Sequence, residues 1–301
     1  MVCETESNFK GDEVMSEHSC AGQASSATAE SSENAIAENL AGVKHKIVVL
    51  SGKGGVGKST VATNLAVGLA QKGFRVGLMD VDVHGPSVPH LLHLQGTTPR
   101  VDAEGLHPVP YGQNLHVISV GFLLSDDKQP VIWRGPLKTG VIQQFLRDVR
   151  WGELDYLIVD CPPGTGDEPL SVLQYIGDRT HAVVVTTPQA IAVADVRRSV
   201  SFCRSTATPI LGIVENMSGY LCPHCGKVEY LFSRNGGEEL AKEMGVAFLG
   251  RIPLDPRMVK AGDEGRVLIA QEEESPAVEA FRRVMMPVCS LENDASEVQQ
   301  G

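Results

Sequence analysis

Residues 51–60 read SGKGGVGKST, and this stretch constrains the fold more than any other part of the chain. Residues 52–59 fit the pattern G-x-x-x-x-G-K-[ST] of a phosphate-binding loop. The apolar run at residues 47–50 predicts a buried strand before the loop, and apolar residues at four-residue spacing from Val61 predict a helix after it. A strand, a glycine-rich loop and a helix in this order are the setting in which such a loop binds nucleotide phosphates.

The residue types of the loop predict how a nucleotide is held. Glycines allow backbone N–H groups to point at phosphate oxygens, and the helix N-terminus adds positive potential. Lys58 is expected to reach the terminal phosphates of ATP, and Ser59 is expected to hold Mg²⁺. The predicted nucleotide-binding residues of the loop are Gly52, Lys53, Gly54, Gly55, Val56, Gly57, Lys58, Ser59 and Thr60.

Strand and helix patterns alternate through the rest of the folded region. Strands are predicted at residues 75–80, 114–120, 155–160, 181–187, 209–215 and 247–253, and helices at 137–149, 168–176, 190–203 and 237–244. This alternation predicts an α/β fold with a mostly parallel sheet and helices on both faces. Ligands of such sheets bind beyond the carboxyl ends of the strands.

Carboxylates follow two of these strands. The segment DVDVHGPS places Asp80 and Asp82 at the end of one strand, and LIVDCPPGTGD places Asp160 at the end of another. Carboxylates there can hold Mg²⁺ or orient a water molecule. Two simpler interpretations stay open, since Asp82 could cap a turn and Asp160 could be only a polar strand end.

Charge and composition limit the classes of partner. The 301 residues carry a net charge of −11, which argues against sequence-independent binding of nucleic acid. No apolar run approaches the ~20 residues of a membrane span, so we expect a soluble protein without a membrane partner. Reactive thiols without a disulfide pattern indicate a reducing, cytoplasmic location. Residues 1–43 hold eight acidic residues and one lysine, which predicts a disordered tail without a targeting signal. The ATPase domain is predicted at residues 44–290, followed by a polar tail at 291–301.

A pair of cysteines in GYLCPHCGKVEY has the spacing of metal ligands. Cys222 and Cys225 are followed by Gly226, which allows the chain to turn so that both thiolates face one centre. A dithiol redox site is the first interpretation, but such sites open a helix, and here a glycine and a strand-like segment follow. A metal-binding knuckle fits better, although it supplies only two of the four ligands of a zinc or [4Fe–4S] site. Two-fold symmetry would supply the other two.

Six motifs in this order closely resemble one known family: GKGGVGKS, DVDVHGPS, LIVDCPPGTGD, ENMS, CPHCG and RIPLDP. The family is that of the Mrp/ApbC-type iron–sulfur cluster carrier ATPases. They belong to the deviant-Walker P-loop NTPases, with MinD, ParA and the nitrogenase iron protein. The resemblance covers residues 43–288 and implies a P-loop NTPase fold of the MinD and nitrogenase-iron-protein type.

The resemblance also implies roles for single residues. Lys53 would cross a homodimer interface to the phosphates bound by the other subunit, and with Lys58 and Asp82 it would form the catalytic set. Asp82 would position the attacking water, and Asp160 would hold a metal-bound water. Asn216, in ENMS, would contact the adenine edge. Lys53 could instead solvate its own loop, and an asparagine at a strand end could be only a turn former.

For the cysteine pair, the resemblance implies that Cys222 and Cys225 of two subunits hold one [4Fe–4S] cluster. The protein would then be a homodimeric, ATP-hydrolysing carrier that transfers the cluster to apo iron–sulfur proteins. A zinc-held regulatory ATPase stays open, because four thiolates suit zinc as well. A positioning ATPase like MinD or ParA is a further alternative, but such switches need a basic surface or a basic amphipathic helix, whereas this chain is acidic.

Overall fold

The computed structural model describes residues 32–123, 135–231, 236–270 and 274–298. Its strands are β1 (Val43–Ser51), β2 (Val76–Asp80), β3 (Arg100–Val101), β4 (Leu106–His107), β5 (Val109–Tyr111), β6 (Leu115–Ser119), β7 (Leu154–Asp160), β8 (Thr180–Thr186), β9 (Ile210–Leu221), β10 (Val228–Glu229) and β11 (Phe248–Leu254). Its helices are α1 (32–40), α2 (Lys58–Gln71), α3 (Val88–Leu91), α4 (Gly135–Asp148), α5 (Asp167–Tyr175), α6 (Ala190–Ser205), α7 (Gly236–Met244), α8 (Pro256–Asp263) and α9 (Pro276–Val298).

The strands form a central sheet with the order β10-β9-β8-β1-β7-β2-β6-β5, and β11 also pairs with β9. Pairing is parallel throughout the middle, and it is antiparallel between β5 and β6 and between β9 and β10. The strands β3 and β4 form a separate hairpin. The predicted mostly parallel sheet is therefore confirmed, with antiparallel strands at its ends.

Helices cover both faces of the sheet, as predicted. Successive residues of a buried strand point to opposite faces, so β1 contributes side chains to two cores. Ile47 and Val49 of β1 pack in one core with residues of α2 and α9. Val48 and Leu50 pack in a second core with residues of α1, α4 and α5. A smaller core joins α6 and α7 to β8 and β9 around Val184.

The N-terminal part of the folded domain differs from the prediction. Residues 32–40 form helix α1, and its Ile36 and Leu40 are buried against the sheet. The predicted disordered tail at 1–43 is therefore wrong for residues 32–43, since apolar residues four apart give this short helix a buried face. Residues 1–31 lie outside the described part of the chain.

At the other end, α9 continues to Val298, beyond the predicted domain boundary at residue 290. Phe281 and Val284 of this helix are fully buried in the core that contains α2. The sequence analysis did not predict α9 or α8. It placed the other long helices and the strands of the sheet centre within a few residues of their observed bounds.

Candidate nucleotide site and cysteine knuckle

The carboxyl ends of β1, β7 and β2 lie side by side, and the phosphate loop follows β1 directly. In the sheet register, Asp160 lies next to Asp80 on one side and next to Val49 on the other. Beyond these strand ends is a cleft of about 280 Å³. Its walls include Lys53, Lys58, Ser59, Thr60 and Asp82. The fold thus brings together loop residues and a carboxylate that are far apart in the sequence.

The loop backbone requires glycine where it enters α2. Gly57 precedes the first residue of α2 and has φ +78°, which is in the left-handed region that side chains disfavour. Gly55 has the same φ and is exposed, and Gly54 is exposed as well. Gly52 serves packing instead, because a Cβ there would lie 2.6 Å from the backbone of Asp195 in α6.

Lys58 is buried and forms the centre of an ion-pair network. Its Nζ lies 2.5 Å from Oδ1 of Asp160 and 3.6 Å from Oδ2 of Asp82. Burial alone would lower the pKa of Lys58, but the charges of Asp160 and Asp82 raise it above its ordinary value. Lys58 is therefore a cation held at the carboxyl ends of the strands, where the phosphates are expected.

Asp80 organises the segment that carries Asp82, a role that the sequence analysis did not assign. Its carboxylate is fully buried and accepts hydrogen bonds from Ser119 Oγ at 2.8 Å and from the N–H groups of Asp82 and Val88. Burial, together with the nearby charge of Asp160, raises the pKa of Asp80 to about 7. Asp82 in turn accepts the N–H of His84, so it also has the turn-forming role that the sequence left open.

A magnesium site fits the residues beside the loop. The Oδ1 of Asp160 accepts a hydrogen bond from Lys58 Nζ. Its other oxygen, Oδ2, is buried without a hydrogen-bonding partner among the described residues. The Ser59 hydroxyl is close enough to Asp160 to act against the burial that raises the pKa of this carboxyl. A carboxylate and a hydroxyl after a phosphate loop are the donors that Mg²⁺ uses in such sites.

Lys53 lines the same cleft from the outer part of the loop. It is half-buried, its carbonyl accepts a hydrogen bond from Ser51 Oγ, and it forms no ion pair with any residue that the structure describes. Its amine therefore differs from that of Lys58, which carboxylates already hold.

Asn216 lies within β9, so it is not the turn former that the sequence left open. Its Nδ2 donates to the carbonyl of Val56 in the phosphate loop at 2.9 Å. Its Oδ1 is buried and has no partner among the described residues. A cavity of about 430 Å³ next to the loop is bordered by Asn216, Thr60, Leu91 and Met258. Adenine contact by Asn216 stays a prediction.

The two cysteines lie at the turn between β9 and β10, which form an antiparallel hairpin. Across this turn the N–H of Cys222 donates to the carbonyl of Lys227, and the N–H of Gly226 donates to the carbonyl of Cys222. The N–H groups of His224 and Cys225, and then the Cys225 thiol, lower the pKa of Cys222 by hydrogen bonding to its sulfur. Cys225 is exposed and Cys222 is half-buried. The turn is therefore a knuckle that presents two thiols on the surface.

Among the residues that the structure describes in one copy, the knuckle is not a complete metal site. Within the described ranges, three or more His, Cys, Asp or Glu side chains lie close enough to share an ion only at Asp102, Glu104 and His107, in the exposed β3–β4 hairpin. A four-ligand centre at Cys222 and Cys225 would therefore need ligands from beyond the described residues of a single copy.

The fold and the loop define a P-loop nucleotide-binding protein. The sequence model of the NUBPL iron-transfer P-loop NTPases matches residues 42–289. An iron-sulfur cluster carrier protein of Methanocaldococcus jannaschii is 50% identical over 250 residues, covering 83% of this chain and 86% of that protein. The cytosolic Fe-S cluster assembly factor NUBP2 of Rattus norvegicus is 49% identical over 250 residues, covering 82% and 92%. The chain belongs to the NUBPL family of iron-transfer P-loop NTPases, and the predicted resemblance is confirmed.

Solved structures agree with this assignment. A nucleotide-binding protein of Archaeoglobus fulgidus, solved in complex with ADP, superposes with a TM-score of 0.72 at 43% identity, covering 83% of this chain and 96% of that one. The cell division ATPase MinD of Pyrococcus furiosus superposes with a TM-score of 0.59 at 23% identity, covering 82% and 99%. The MinD likeness concerns the fold alone, and it confirms the predicted fold class. No helix in the described ranges is both long and apolar enough to cross a membrane.

Proposed function

We propose that the protein is an ATP-hydrolysing carrier that binds a [4Fe–4S] cluster between two copies of the chain and transfers it to apo iron–sulfur proteins. The cysteine knuckle is the observation that carries this proposal. It presents two thiols on the surface, one with a lowered pKa, and a second copy would complete the four ligands. Relatives named as an iron-sulfur cluster carrier and a cytosolic Fe-S cluster assembly factor support the same cargo and a cytoplasmic location.

The nucleotide is ATP, bound in the cleft next to the loop. The Lys58 amine, which pairs with Asp160, shares its charge with the terminal phosphates. The N–H groups of the loop surround these phosphates. Ser59 and Asp160 hold Mg²⁺, which neutralises phosphate charge when it is bound. Asp82 borders the cleft and orients the attacking water. The ADP complex of the Archaeoglobus fulgidus relative supports a nucleotide in this fold.

Asp82→Asn is expected to bind ATP within a few-fold of the parent but to hydrolyse it about 100-fold more slowly, because a water-orienting carboxylate is lost while the phosphate contacts remain. Calorimetry measures the binding, and release of phosphate measures the turnover. The matched control is Asp102→Asn, which removes an exposed carboxylate in the β3–β4 hairpin. Full turnover in Asp82→Asn would show that Asp82 has no role in hydrolysis.

Lys53 is the residue that joins the two sites in this proposal. Lys53 lines the cleft and forms no ion pair with the described residues, so in this proposal its amine contacts phosphates bound by a second copy. ATP would then favour one arrangement of the two subunits, and a cluster shared between them would respond to that arrangement. Couplings of this kind are about 1–3 kcal/mol, or roughly five- to 150-fold in affinity, and they act equally in both directions.

Lys53→Ala is expected to remove the ATP dependence of cluster transfer while ATP binding stays largely intact, because Lys58 and the loop remain. Transfer to an apo-ferredoxin is measured with and without MgATP. Lys72→Ala, which changes an exposed lysine at the end of α2, is the control and should behave like the parent. Equal ATP dependence in Lys53→Ala and the parent would rule out this role of Lys53. Absence of cluster transfer by the parent itself would contradict the proposed function.

A further inference from the structure

Asn216 reaches the phosphate loop from a strand that lies 160 residues further along the chain. Its side chain is almost fully buried, and Nδ2 donates to the carbonyl of Val56 at 2.9 Å. The packing is so tight that a Cβ on Gly57 would lie 2.2 Å from Nδ2. The structure therefore leaves no room for a side chain at position 57 while Asn216 is in place.

This hydrogen bond fixes the orientation of one peptide group of the loop. The peptide that joins Val56 to Gly57 is planar and trans, so its C=O and N–H point in opposite directions. When Asn216 holds the C=O, the N–H of Gly57 must point away from Asn216. Gly57 borders the cleft beside Lys58, and its N–H has no hydrogen-bonding partner in the part of the chain that the structure describes.

We propose that Asn216 is a positioning residue of the phosphate loop, which holds the Val56–Gly57 peptide so that the Gly57 N–H donates to nucleotide phosphate. This inference rests on the nucleotide-binding part of the proposed function and assigns a role separate from adenine contact. Because Nδ2 acts on the loop, this role predicts an effect of Asn216 on binding that comes through the phosphates, separate from any contact that its unpartnered Oδ1 makes with the base. The left-handed φ of Gly57 and the close approach of Asn216 explain together why this position is glycine.

The two roles predict different dependence on the ligand. A positioning residue affects every ligand that carries the phosphates, whereas an adenine contact affects only ligands with that base. Inorganic tripolyphosphate carries the phosphates without a base. The experiment measures the affinities of parent and Asn216→Ala for ATP and for tripolyphosphate by calorimetry. Hydrogen exchange at the Gly57 amide, with and without tripolyphosphate, reports directly on the donor.

Asn216→Ala is expected to lower the affinities for ATP and for tripolyphosphate by the same factor, about five- to tenfold, which corresponds to one lost hydrogen bond in the site. Tripolyphosphate is expected to slow exchange of the Gly57 amide in the parent and not in the variant. Asn114→Ala is the matched control, because Asn114 also donates its amide to a backbone carbonyl, that of Ala70 in α2, away from the loop. It should leave both affinities unchanged.

Asn216→Asp serves as a second variant if the alanine variant does not fold, since it keeps the size of the side chain and cannot donate to Val56. It should lose affinity for both ligands at least as strongly. A loss for ATP without a loss for tripolyphosphate would overturn the inference in favour of adenine contact. The inference would also be overturned if the variant bound tripolyphosphate as tightly as the parent and tripolyphosphate slowed exchange of its Gly57 amide. A parent that binds neither ligand would instead overturn nucleotide binding itself.

Discussion

Lys58→Met is expected to weaken ATP binding about 10- to 100-fold, because a charge-assisted contact to the terminal phosphates is lost. Methionine keeps the length of the side chain and removes only the charge and its hydrogen bonds. Lys58 also lies against Asp160 and Asp82, so the same substitution removes their cationic partner. ATP affinity measured by calorimetry is the first readout.

The second readout of Lys58→Met is the free energy of unfolding. Removing one partner of a buried ion pair leaves the other charge uncompensated, and the expected cost is about 3 kcal/mol. Asp80 and Asp160 have pKa values raised by burial, and Asp80 is already at about 7. Without Lys58 these pKa values rise further, so the folded protein holds protons that the unfolded chain releases above about pH 4. The cost of the substitution should therefore increase with pH and be larger at pH 8 than at pH 6.

Lys46→Met is the matched control for Lys58→Met. Lys46 is as buried as Lys58, and its Nζ donates to the carbonyl of Asp178 at the opposite end of β1. Its substitution should lower stability and leave ATP affinity unchanged. If Lys58→Met and Lys46→Met bound ATP equally well, Lys58 would have no role at the phosphates.

Cys222→Ala and Cys225→Ala are each expected to abolish cluster binding, because one substitution removes two of the four thiolates in a dimer. After anaerobic reconstitution, iron and sulfide per protein should fall to near zero, and ATP affinity should be unchanged. The thiol of Cys289, which burial makes less acidic by raising its pKa, provides the control Cys289→Ala. That variant should bind as much iron as the parent. If either knuckle variant bound as much iron as the parent, the cysteines would not hold a cluster between two copies.

The phosphate loop and the knuckle could be predicted from the sequence because both are local. Gly57, Lys58 and Ser59 lie within eight residues of Gly52, and their spacing alone defines the loop. Likewise, Cys222 and Cys225 are joined by a single turn. In such motifs the residues that make the site are also the residues that shape its backbone.

The contacts that were not predicted join distant parts of the chain. The bond from Asn216 to Val56 and the hydrogen bond that Asp80 accepts from Ser119 depend on which strands are neighbours. A pattern of strands and helices predicts a parallel sheet but does not give the strand order, so these contacts could not be derived. Helix α1 was missed because its few apolar residues lie within a polar, acidic segment.

The central claim is that two copies of the chain share one [4Fe–4S] cluster through their cysteine knuckles. Native mass spectrometry of the anaerobically reconstituted parent tests it most directly, since it gives the number of chains and the mass of the bound centre in one measurement. The account predicts a dimer that carries the mass of a single [4Fe–4S] cluster. A dimer with one zinc ion, or a monomer that holds a whole cluster, would contradict it.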